Sequence, residues 1–356
     1  MQQIGKWIRN RYQSFERWRR YSNSQLFAKQ TRKKINESKK VTFVDKKLIK
    51  KIQEYCSTRY GNSDHWHWLA LYSEIMEEFI EGWLPNDIYE LELIPRLNPP
   101  KFTYLSTLKS YDHHVFSGFA VKPVAIFING IFFDGKGSPL SEREFLQKMK
   151  SYRAEVVLKR DSAPSGKGIL FKHSDKVAVD DFDKRFSYVI QPLFKQHSEL
   201  AKGHEKSVNT VRISTYLSHS GEVSVKHLLL RLGRGGSRIV NAGADDIDIY
   251  IDREGRALKN AVNGIGIKMG DTHPDNGIPY KNLRVPSMEL AISECKKSHL
   301  KFPYLRFIAW DVYVDEEERP HMIEWNTVNP QLWVHEAHMG PLWSKDEIDD
   351  ILKLPK

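Results

Sequence analysis

Apolar residues near the N-terminus follow the spacing of a helix. They recur at steps of three and four, at Ile4, Ile8, Tyr12, Phe15 and Trp18. Such spacing places side chains on one helix face, so a helix is predicted here. A further helix is predicted to end at Gly82, after a capping residue among Asn62, Ser63 and Asp64. Residues 1–105 are therefore predicted to form a helical region, of which 1–56 are basic and amphipathic.

Short apolar runs separated by turn residues follow in the rest of the chain. Asn129 and Gly130 lie between two such runs, and this dipeptide favours a tight hairpin turn. Helical segments are interspersed, one of them after the capping residue Ser141, without a regular strand–helix–strand alternation. The fold class is therefore predicted as α+β, with the second domain at 106–356.

Polar residues interrupt the apolar strands of the stretch FIAWDVYVDEEERPHMIEWN, residues 307–326. A turn near Glu317 would bring Asp311 opposite Glu324, and Asn326 lies on the same strand face as Glu324. Two carboxylates in an apolar setting repel each other and lose water, so a compensating charge is required. Carboxylate and amide oxygens are ligands that Mg²⁺ accepts. We therefore predict a metal site at Asp311, Glu324 and Asn326 in preference to a solvated hairpin edge.

Composition is that of a globular chain. Of its 356 residues, 40% are hydrophobic and 28% are charged, unlike a disordered protein. No apolar run approaches the roughly 20 residues that cross a bilayer, and the basic N-terminus lacks the apolar segment of a signal peptide. Two cysteines do not make a disulfide framework. A cytoplasmic location is therefore expected.

Positive charge is concentrated at the N-terminus. The chain carries +10, and residues 1–60 alone hold 17 Lys or Arg against four acids, so the remainder is net negative. A basic helix that contains Trp18 can lie on an anionic membrane surface, which would place residues 1–25 at the inner face of the membrane. Packing of this helix on the protein body is the favoured interpretation. Nucleic acid is not expected as a partner, because no nucleic-acid-binding motif accompanies the charge.

A loop that contains glycine joins two apolar runs in KRDSAPSGKGILF, residues 159–171. Glycine lets backbone N–H groups approach phosphate oxygens, and Lys159 or Lys167 adds positive charge. The Gly-x-x-x-x-Gly-Lys spacing of a Walker A motif is absent, and a strand follows where that motif requires a helix. The loop is compatible with phosphate binding, but many ordinary hairpins turn on similar residues.

The order of the motifs resembles the ATP-grasp superfamily. A strand lysine, a glycine hairpin loop, a strand that ends in QPLF, and a late Asp…Glu-x-Asn hairpin follow one another. More narrowly, the chain is similar to the sugar-transfer-associated ATP-grasp family of cell-surface polysaccharide synthesis. This similarity covers residues 57–340, in the motifs WLPNDIY, KSYD, VLKRDSAPSGKGI, QHSEL, VNTVRIST, LRLGRGGSRIVNAG, HPDNG, VPSMEL, WDVYV and IEWN. The resemblance implies two α+β lobes that close on ATP, with 145–195 as the small lobe over the nucleotide.

The resemblance also implies which residues bind the nucleotide and the metal. Lys109 and Lys159 match lysines that contact the phosphates. The metal ligands, for which two Mg²⁺ ions are expected, match Asp311, Glu324 and Asn326. The lid over the phosphates matches Ser165, Gly166 and Gly168. The hinge that reads adenine usually opens with Glu and here matches Gln191, Pro192, Leu193 and Phe194. The ribose partner is expected among Gln196, His197 and Glu199.

The commonest chemistry of the superfamily joins a carboxylate to an amine. ATP activates the carboxylate as an acyl phosphate, and the amine then forms an amide. Further cations are expected to neutralise a transferring phosphoryl group or to bind an anionic substrate, at Arg212, Lys226 and Arg231. The resemblance therefore implies a carboxylate–amine ligase that attaches an amino acid or similar amine to a nucleotide- or lipid-linked sugar in capsule or surface polysaccharide synthesis.

Two other functions remain open from the sequence. A sugar kinase of the same fold would benefit from a carboxylate near the acceptor, for which the candidates are Asp245, Asp246 and Asp248. A non-catalytic membrane- or glycan-binding scaffold is the other alternative. The aromatic C-terminal stretch QLWVHEAHMGPLW is interpreted equally as the lining of an acceptor pocket or as core packing.

Overall fold

The computed structural model describes residues 2–39, 42–163, 168–240, 246–259, 261–264 and 266–355. Contacts along the chain define two compact units. The helical unit comprises Met1–Pro99, Ile265–Ile267 and Gln331–Lys356, and the sheet unit comprises Pro100–Gly264 and Lys268–Pro330. The C-terminal residues thus group with the N-terminal helices. The predicted division between residues 105 and 106, with a small lobe at 145–195, stays a prediction.

Twelve α-helices are present in the described residues. In chain order they are α1 (Gln2–Lys39), α2 (Lys46–Tyr60), α3 (Trp66–Met76), α4 (Asn86–Ile88), α5 (Ile94–Leu97), α6 (Pro100–Thr103), α7 (Asp112–Val115), α8 (Glu142–Tyr152), α9 (Ser198–Ala201), α10 (Met288–Lys301), α11 (Trp333–Met339) and α12 (Lys345–Lys353). Among the helices that the structure describes, none combines the length and apolar character that crossing a membrane requires.

Eleven strands form two antiparallel sheets in the described part of the sheet unit. They are β1 (Ala125–Ile128), β2 (Ile131–Asp134), β3 (Pro139–Leu140), β4 (Glu155–Arg160), β5 (Ile169–His173), β6 (Tyr188–Pro192), β7 (Thr210–Leu217), β8 (Val223–Leu232), β9 (Ile247–Tyr250), β10 (Phe307–Val314) and β11 (Pro320–Asn326). The six-stranded sheet has the order β3-β2-β1-β6-β4-β5, and the five-stranded sheet has the order β11-β10-β7-β8-β9. The predicted α+β class is confirmed.

The helical unit has its core around α3. Trp68, Leu69 and Tyr72 on this helix are buried, because α1, α2 and α11 all pack against it. The ring of Trp68 lies 5.8 Å from the ring of Phe27 on α1 and 5.9 Å from that of Trp333 on α11, measured between centroids. Within this unit Trp333 is therefore a core residue, as the core-packing interpretation of the C-terminal stretch predicts.

Capping residues set the bounds of α3. The side chain of Asn62 accepts a hydrogen bond from Asp64 N at 2.9 Å at the start of this helical segment. The helix ends at Met76 rather than at the predicted Gly82. The reason is that Glu77 adopts a left-handed conformation with a φ of 60°, which terminates a helix.

The six-stranded sheet contains the predicted hairpin at Asn129 and Gly130. Both residues have positive φ, 52° and 79°, as a two-residue type I′ turn requires. Helix α8 begins with a capping box at Ser141. It covers the sheet through Phe145, whose ring stacks on that of Phe132 with centroids 3.9 Å apart.

The five-stranded sheet contains the hairpin of β10 and β11. Its register places Asp311 directly opposite Glu324. The preceding and following residues, Trp310 and Trp325, point to the other face of the sheet. Their rings are fully buried and stack with centroids 6.2 Å apart. This apolar face anchors the hairpin and leaves the two acids on the opposite face.

Candidate functional site

A cavity of about 390 Å³, here called the central cavity, lies in the sheet unit and is lined by both sheets. Its lining includes Lys109, Val157, Lys159, Ile169, Phe171, Leu193, Phe194, Gln196, Glu205, Lys206, Arg231, Arg238, Asp311 and Glu324. Cations, two acids and apolar side chains therefore surround one space. This composition suits an anionic ligand that also has an apolar part.

Asp311 lies in the wall of the central cavity. Arg212 on the neighbouring β7 donates to both carboxylate oxygens, from Nε to Oδ1 at 2.8 Å and from Nη2 to Oδ2 at 2.7 Å. Asn326 Nδ2 donates to Oδ2 at 3.0 Å. Burial acts to raise the pKa of Asp311, but the guanidinium and these hydrogen bonds outweigh it and hold the pKa below its usual value. Asp311 is therefore ionised at neutral pH.

Glu324 is the more accessible acid of the pair. Its side chain is 35% exposed, against 14% for Asp311. Lys109 Nζ lies 3.6 Å from Oε1 of Glu324. Each acid thus has a cation beside it, which is the compensation that the two opposed carboxylates require.

The donor set fits a hard divalent cation. Asp311, Glu324 and Asn326 lie together and supply carboxylate and amide oxygens, which Mg²⁺ prefers. No group of three or more His, Cys, Asp and Glu side chains suited to a metal occurs in the described ranges. Mg²⁺ commonly uses one or two carboxylates and takes further ligands from substrate phosphates and water. This site therefore suits a cation that is bound together with a phosphorylated substrate.

Lys159 extends from β4 into the same cavity. The residue is 5% exposed, and its Nζ lies 4.9 Å from the centroid of the Phe194 ring, within the range of a cation–π contact. Burial lowers the pKa of Lys159 to about 8, although nearby Glu324 acts to raise it. The positive charge of Lys159 is therefore sensitive to pH near neutrality, and an anion in the cavity would stabilise it.

A buried carboxylate fastens the loop of Lys109 to the end of β4. Asp161 accepts hydrogen bonds from Ser110 N at 2.9 Å and from Ser110 Oγ at 2.5 Å. Asp161 is 6% exposed and Ser110 is 3% exposed. Because Asp161 follows Lys159 by two residues and Ser110 follows Lys109 directly, this contact sets the relative position of the two lysines. Sequence reasoning missed it, and the only available signal was the acid in the KRD motif.

Residues 141–342, more than half of the chain, match a family model described as sugar-transfer associated ATP-grasp. The chain belongs to this family. The resemblance inferred from the sequence motifs is therefore confirmed, and the prediction of an ATP-grasp enzyme is confirmed at the level of the family.

Solved structures with a similar arrangement include other ATP-grasp proteins. The ATP-grasp ligase PsnB, complexed with a minimal precursor, matches with a TM-score of 0.42 and 11% identity over 72% of this chain and 64% of that chain. D-alanyl-alanine synthetase A from Vibrio cholerae has a TM-score of 0.40 and 9% identity over 70% and 64% of the two chains. D-cycloserine synthetase DcsG has a TM-score of 0.40 and 11% identity over 84% and 81%. No curated protein matches the sequence.

The predicted hinge of this ATP-grasp protein lies at the end of β6. Gln191 is 6% exposed, and its side-chain amide donates to a backbone carbonyl at 3.5 Å, whereas its Oε1 has no hydrogen-bond partner. Leu193 and Phe194 line the central cavity. The ring of Phe194 stacks on that of Tyr313 with centroids 4.7 Å apart. The residues after β6 therefore offer an apolar surface of the kind that a planar base requires.

The three ribose candidates have different surroundings. Gln196 lines the central cavity, but its Nε2 donates to two backbone carbonyls at 2.9 Å each. His197 and Glu199 line a separate cavity of about 890 Å³ in the sheet unit. Glu205 and Lys206, which sequence reasoning missed, line the central cavity instead. They lie in an irregular loop after α9, where no periodic pattern marks the direction of a side chain.

The three predicted cations occupy different places in the ATP-grasp fold. Arg212 is bound to Asp311 and lies beneath the cavity wall. Arg231 lines the cavity, with its Nε 3.4 Å from Oδ1 of Asp248 and no hydrogen bond between these two atoms. Lys226 lies with its Nζ 5.5 Å from the centre of an aromatic ring, outside the described cavity lining. Arg231 is therefore the cation of this set that a ligand can reach.

Some predicted residues fall outside the described ranges, namely Ser165, Gly166 and Asp245. Gly168, at the end of the predicted lid, has a φ of 86°, and a Cβ there would lie 3.1 Å from two neighbouring side chains. Glycine is therefore required at this position on both conformational and steric grounds. Asp248, a candidate base in the kinase interpretation, is 5% exposed, and burial raises its pKa.

Proposed function

We propose that this protein is an ATP- and Mg²⁺-dependent carboxylate–amine ligase that forms an amide through an acyl phosphate. The observation that carries the proposal is the convergence of two opposed acids, Asp311 and Glu324, and two lysines, Lys109 and Lys159, on one cavity. The acids suit a divalent cation, and the lysines suit phosphate oxygens. Membership of the ATP-grasp family supports a nucleoside triphosphate as the ligand.

The acids and their neighbours have separate roles in this proposal. Asp311, Glu324 and Asn326 would hold Mg²⁺, which supplies charge neutralisation at the phosphate oxygens. Arg212 keeps Asp311 ionised through its two hydrogen bonds. Lys109, 3.6 Å from Glu324, is placed to bind a phosphate oxygen beside these acids. The side chains thus bind and orient the phosphates without forming a covalent intermediate.

Arg231 is proposed to bind the negative charge at the reacting end of the substrate. It lines the central cavity, and its Nε has no hydrogen-bond partner. A guanidinium in this position would stabilise the transferring phosphoryl group and the acyl phosphate that results. Positioning and charge neutralisation account for most of the rate enhancement in phosphoryl transfer, so no nucleophilic side chain is required.

The proposed substrates are an amine, such as an amino acid, and a nucleotide- or lipid-linked sugar of surface polysaccharide. The family description as sugar-transfer associated supports the sugar. Either partner is compatible with supplying the carboxylate. A cytoplasmic location would provide the ATP and Mg²⁺ that the reaction consumes or requires.

The proposal is tested by measuring phosphate release from ATP in the presence of Mg²⁺ with panels of amino acids and nucleotide sugars. A ligase produces an amide and free phosphate from one pair of substrates. A sugar kinase would produce a phosphorylated sugar without free phosphate. Absence of Mg²⁺-dependent ATP binding would contradict both activities and leave the scaffold interpretation.

Glu324→Gln is the variant that isolates the metal site. Because this side chain is 35% exposed, its replacement should leave the fold intact while turnover falls by about a hundredfold or more. Glu316→Gln, in the exposed turn of the same hairpin, is the matched control and should retain turnover. Equal turnover in both variants would exclude Glu324 from the chemistry.

A further inference from the structure

Helix α1 has an exposed apolar face that the proposed reaction does not use. Phe15, Trp18 and Leu26 are 55%, 62% and 50% exposed. Their helical spacing places them on one side of α1, opposite Ala28 and Ile35, which are buried in the core of the helical unit. The exposed face is therefore not the packing face of the helix. The favoured sequence interpretation, in which this stripe packs on the protein body, is wrong for Phe15 and Trp18.

Exposed cations flank the same face. By helical spacing Arg19, Lys29 and Lys33 lie next to the apolar residues, and all three are exposed. Arg19 pairs with Glu16 at 2.8 Å, and Lys33 lies 3.7 Å from the carboxylate of Glu37. Such exposed pairs are worth little and do not prevent the cations from binding another anion. The surplus of basic residues in 1–60, 17 against four acids, has the same sign.

We propose that this face of α1 binds the surface of an anionic lipid bilayer. We call it the α1 face and define it by Phe15, Arg19, Trp18, Leu26, Lys29 and Lys33. The helix would lie in the plane of the interface, with its apolar side chains among the lipid headgroups and its cations on the lipid phosphates. This inference does not depend on the proposed function, although a membrane position would raise the local concentration of a lipid-linked substrate.

Two other occupants fit the α1 face less well. A second copy of the chain would bring an equally basic surface against this one, and the like charges would repel. A nucleic acid would neutralise the cations but would leave Phe15 and Leu26 without an apolar environment. A bilayer interface satisfies the cations and the apolar side chains together.

The test is co-sedimentation of the full-length protein with two kinds of vesicle. One is phosphatidylcholine alone, and the other is phosphatidylcholine mixed with phosphatidylglycerol. We expect binding to the anionic vesicles, weakened by added salt, and little binding to the zwitterionic ones. Replacing Phe15 and Trp18 together by Ser should weaken binding about tenfold or more, because both insert apolar area. Arg19→Glu with Lys29→Glu should weaken it through charge.

The matched control replaces Leu300 and Tyr304 by Ser, since these residues are 55% and 59% exposed in the sheet unit. This variant should bind anionic vesicles like the parent. Failure of the parent to bind either vesicle would overturn the proposal, as would an equal loss in the control. It would also be overturned if the Phe15 and Trp18 replacements abolished self-association or oligonucleotide binding while the parent ignored vesicles.

Discussion

Buried acids occur in both units, and the units differ in how the carboxylate oxygens are used. In the helical unit, Glu74 is completely buried and accepts hydrogen bonds from Arg32 Nε and from two backbone N–H groups. Glu336 in the same unit accepts two backbone N–H groups at 3.2 and 2.9 Å. These acids are enclosed by partners of the unit itself, so their contribution is structural.

The buried charges of the sheet unit border on a cavity instead. Asp311 is bound on one side by Arg212, yet it also lines the central cavity with Glu324 and Lys159. Burial therefore does not by itself mark a functional charge. The distinguishing property is whether the neighbours of the charge leave one side facing a space that a ligand can enter.

The largest effect that this comparison predicts is on stability in the helical unit. Glu74→Ala removes three hydrogen bonds and leaves Arg32, whose side chain is 16% exposed, without its carboxylate. We expect the free energy of unfolding to fall by about 3–5 kcal/mol, measured by urea denaturation. Glu54→Ala, which removes an exposed acid 4.0 Å from Lys50, should change it little. Reduced affinity of the folded Glu74 variant for ATP would break the distinction between the units.

The next effect is on nucleotide affinity and depends on pH. Burial lowers the pKa of Lys159 to about 8, so the lysine is cationic below that pH and loses its charge above it. Affinity for ATP should therefore be complete at lower pH and fall, by up to about tenfold per pH unit, as the pH rises above 8. Calorimetric titrations across this range would measure the change.

Lys159→Arg separates this charge from other titrating groups. Arginine stays protonated throughout the range, so the variant should show a flatter pH profile, even if its affinity is lower. Lys172→Arg is the matched control, because Lys172 lies on adjacent β5 and pairs with Asp181. It should keep the profile of the parent. The same fall in parent and Lys159→Arg would assign the pH dependence to another group.

The smallest predicted effect concerns the link between the two lysines. Asp161→Asn keeps the shape of the side chain but weakens its hydrogen bonds from Ser110, at a cost of about 1 kcal/mol. ATP affinity should fall a few-fold, with a smaller change in kcat than in KM. Asp134→Asn is a suitable control, because Asp134 also accepts two backbone N–H groups but lies in an exposed turn. Equal effects of both variants on ATP affinity would show that Asp161 has no positioning role.

The geometry of the late hairpin was predictable from the sequence because it depends on local rules. Side chains alternate along a strand, and the position of the turn determines which residues face each other. The observed register accordingly pairs Asp311 with Glu324. The turn at Asn129 and Gly130 followed for the same reason, since few residue pairs tolerate its backbone conformation.

Contacts between distant segments were not predictable in this way. Asp161 and Ser110 are 51 residues apart, and neither lies in a periodic pattern that points to the other. The candidates His197 and Glu199 came from proximity in sequence to the hinge, but the chain turns there and directs them to another cavity. The direction of a loop residue depends on tertiary packing rather than on its neighbours in sequence.

The sequence by itself determined the fold class, the family and the set of oxygen-bearing residues on one hairpin, because alternation, turn chemistry and motif order act over short distances. The tertiary structure decided which cations accompany those residues, which loop residues line the central cavity and which face of α1 remains exposed. These features depend on how separate elements pack, and packing energy is a property of surfaces assembled from many parts of the chain.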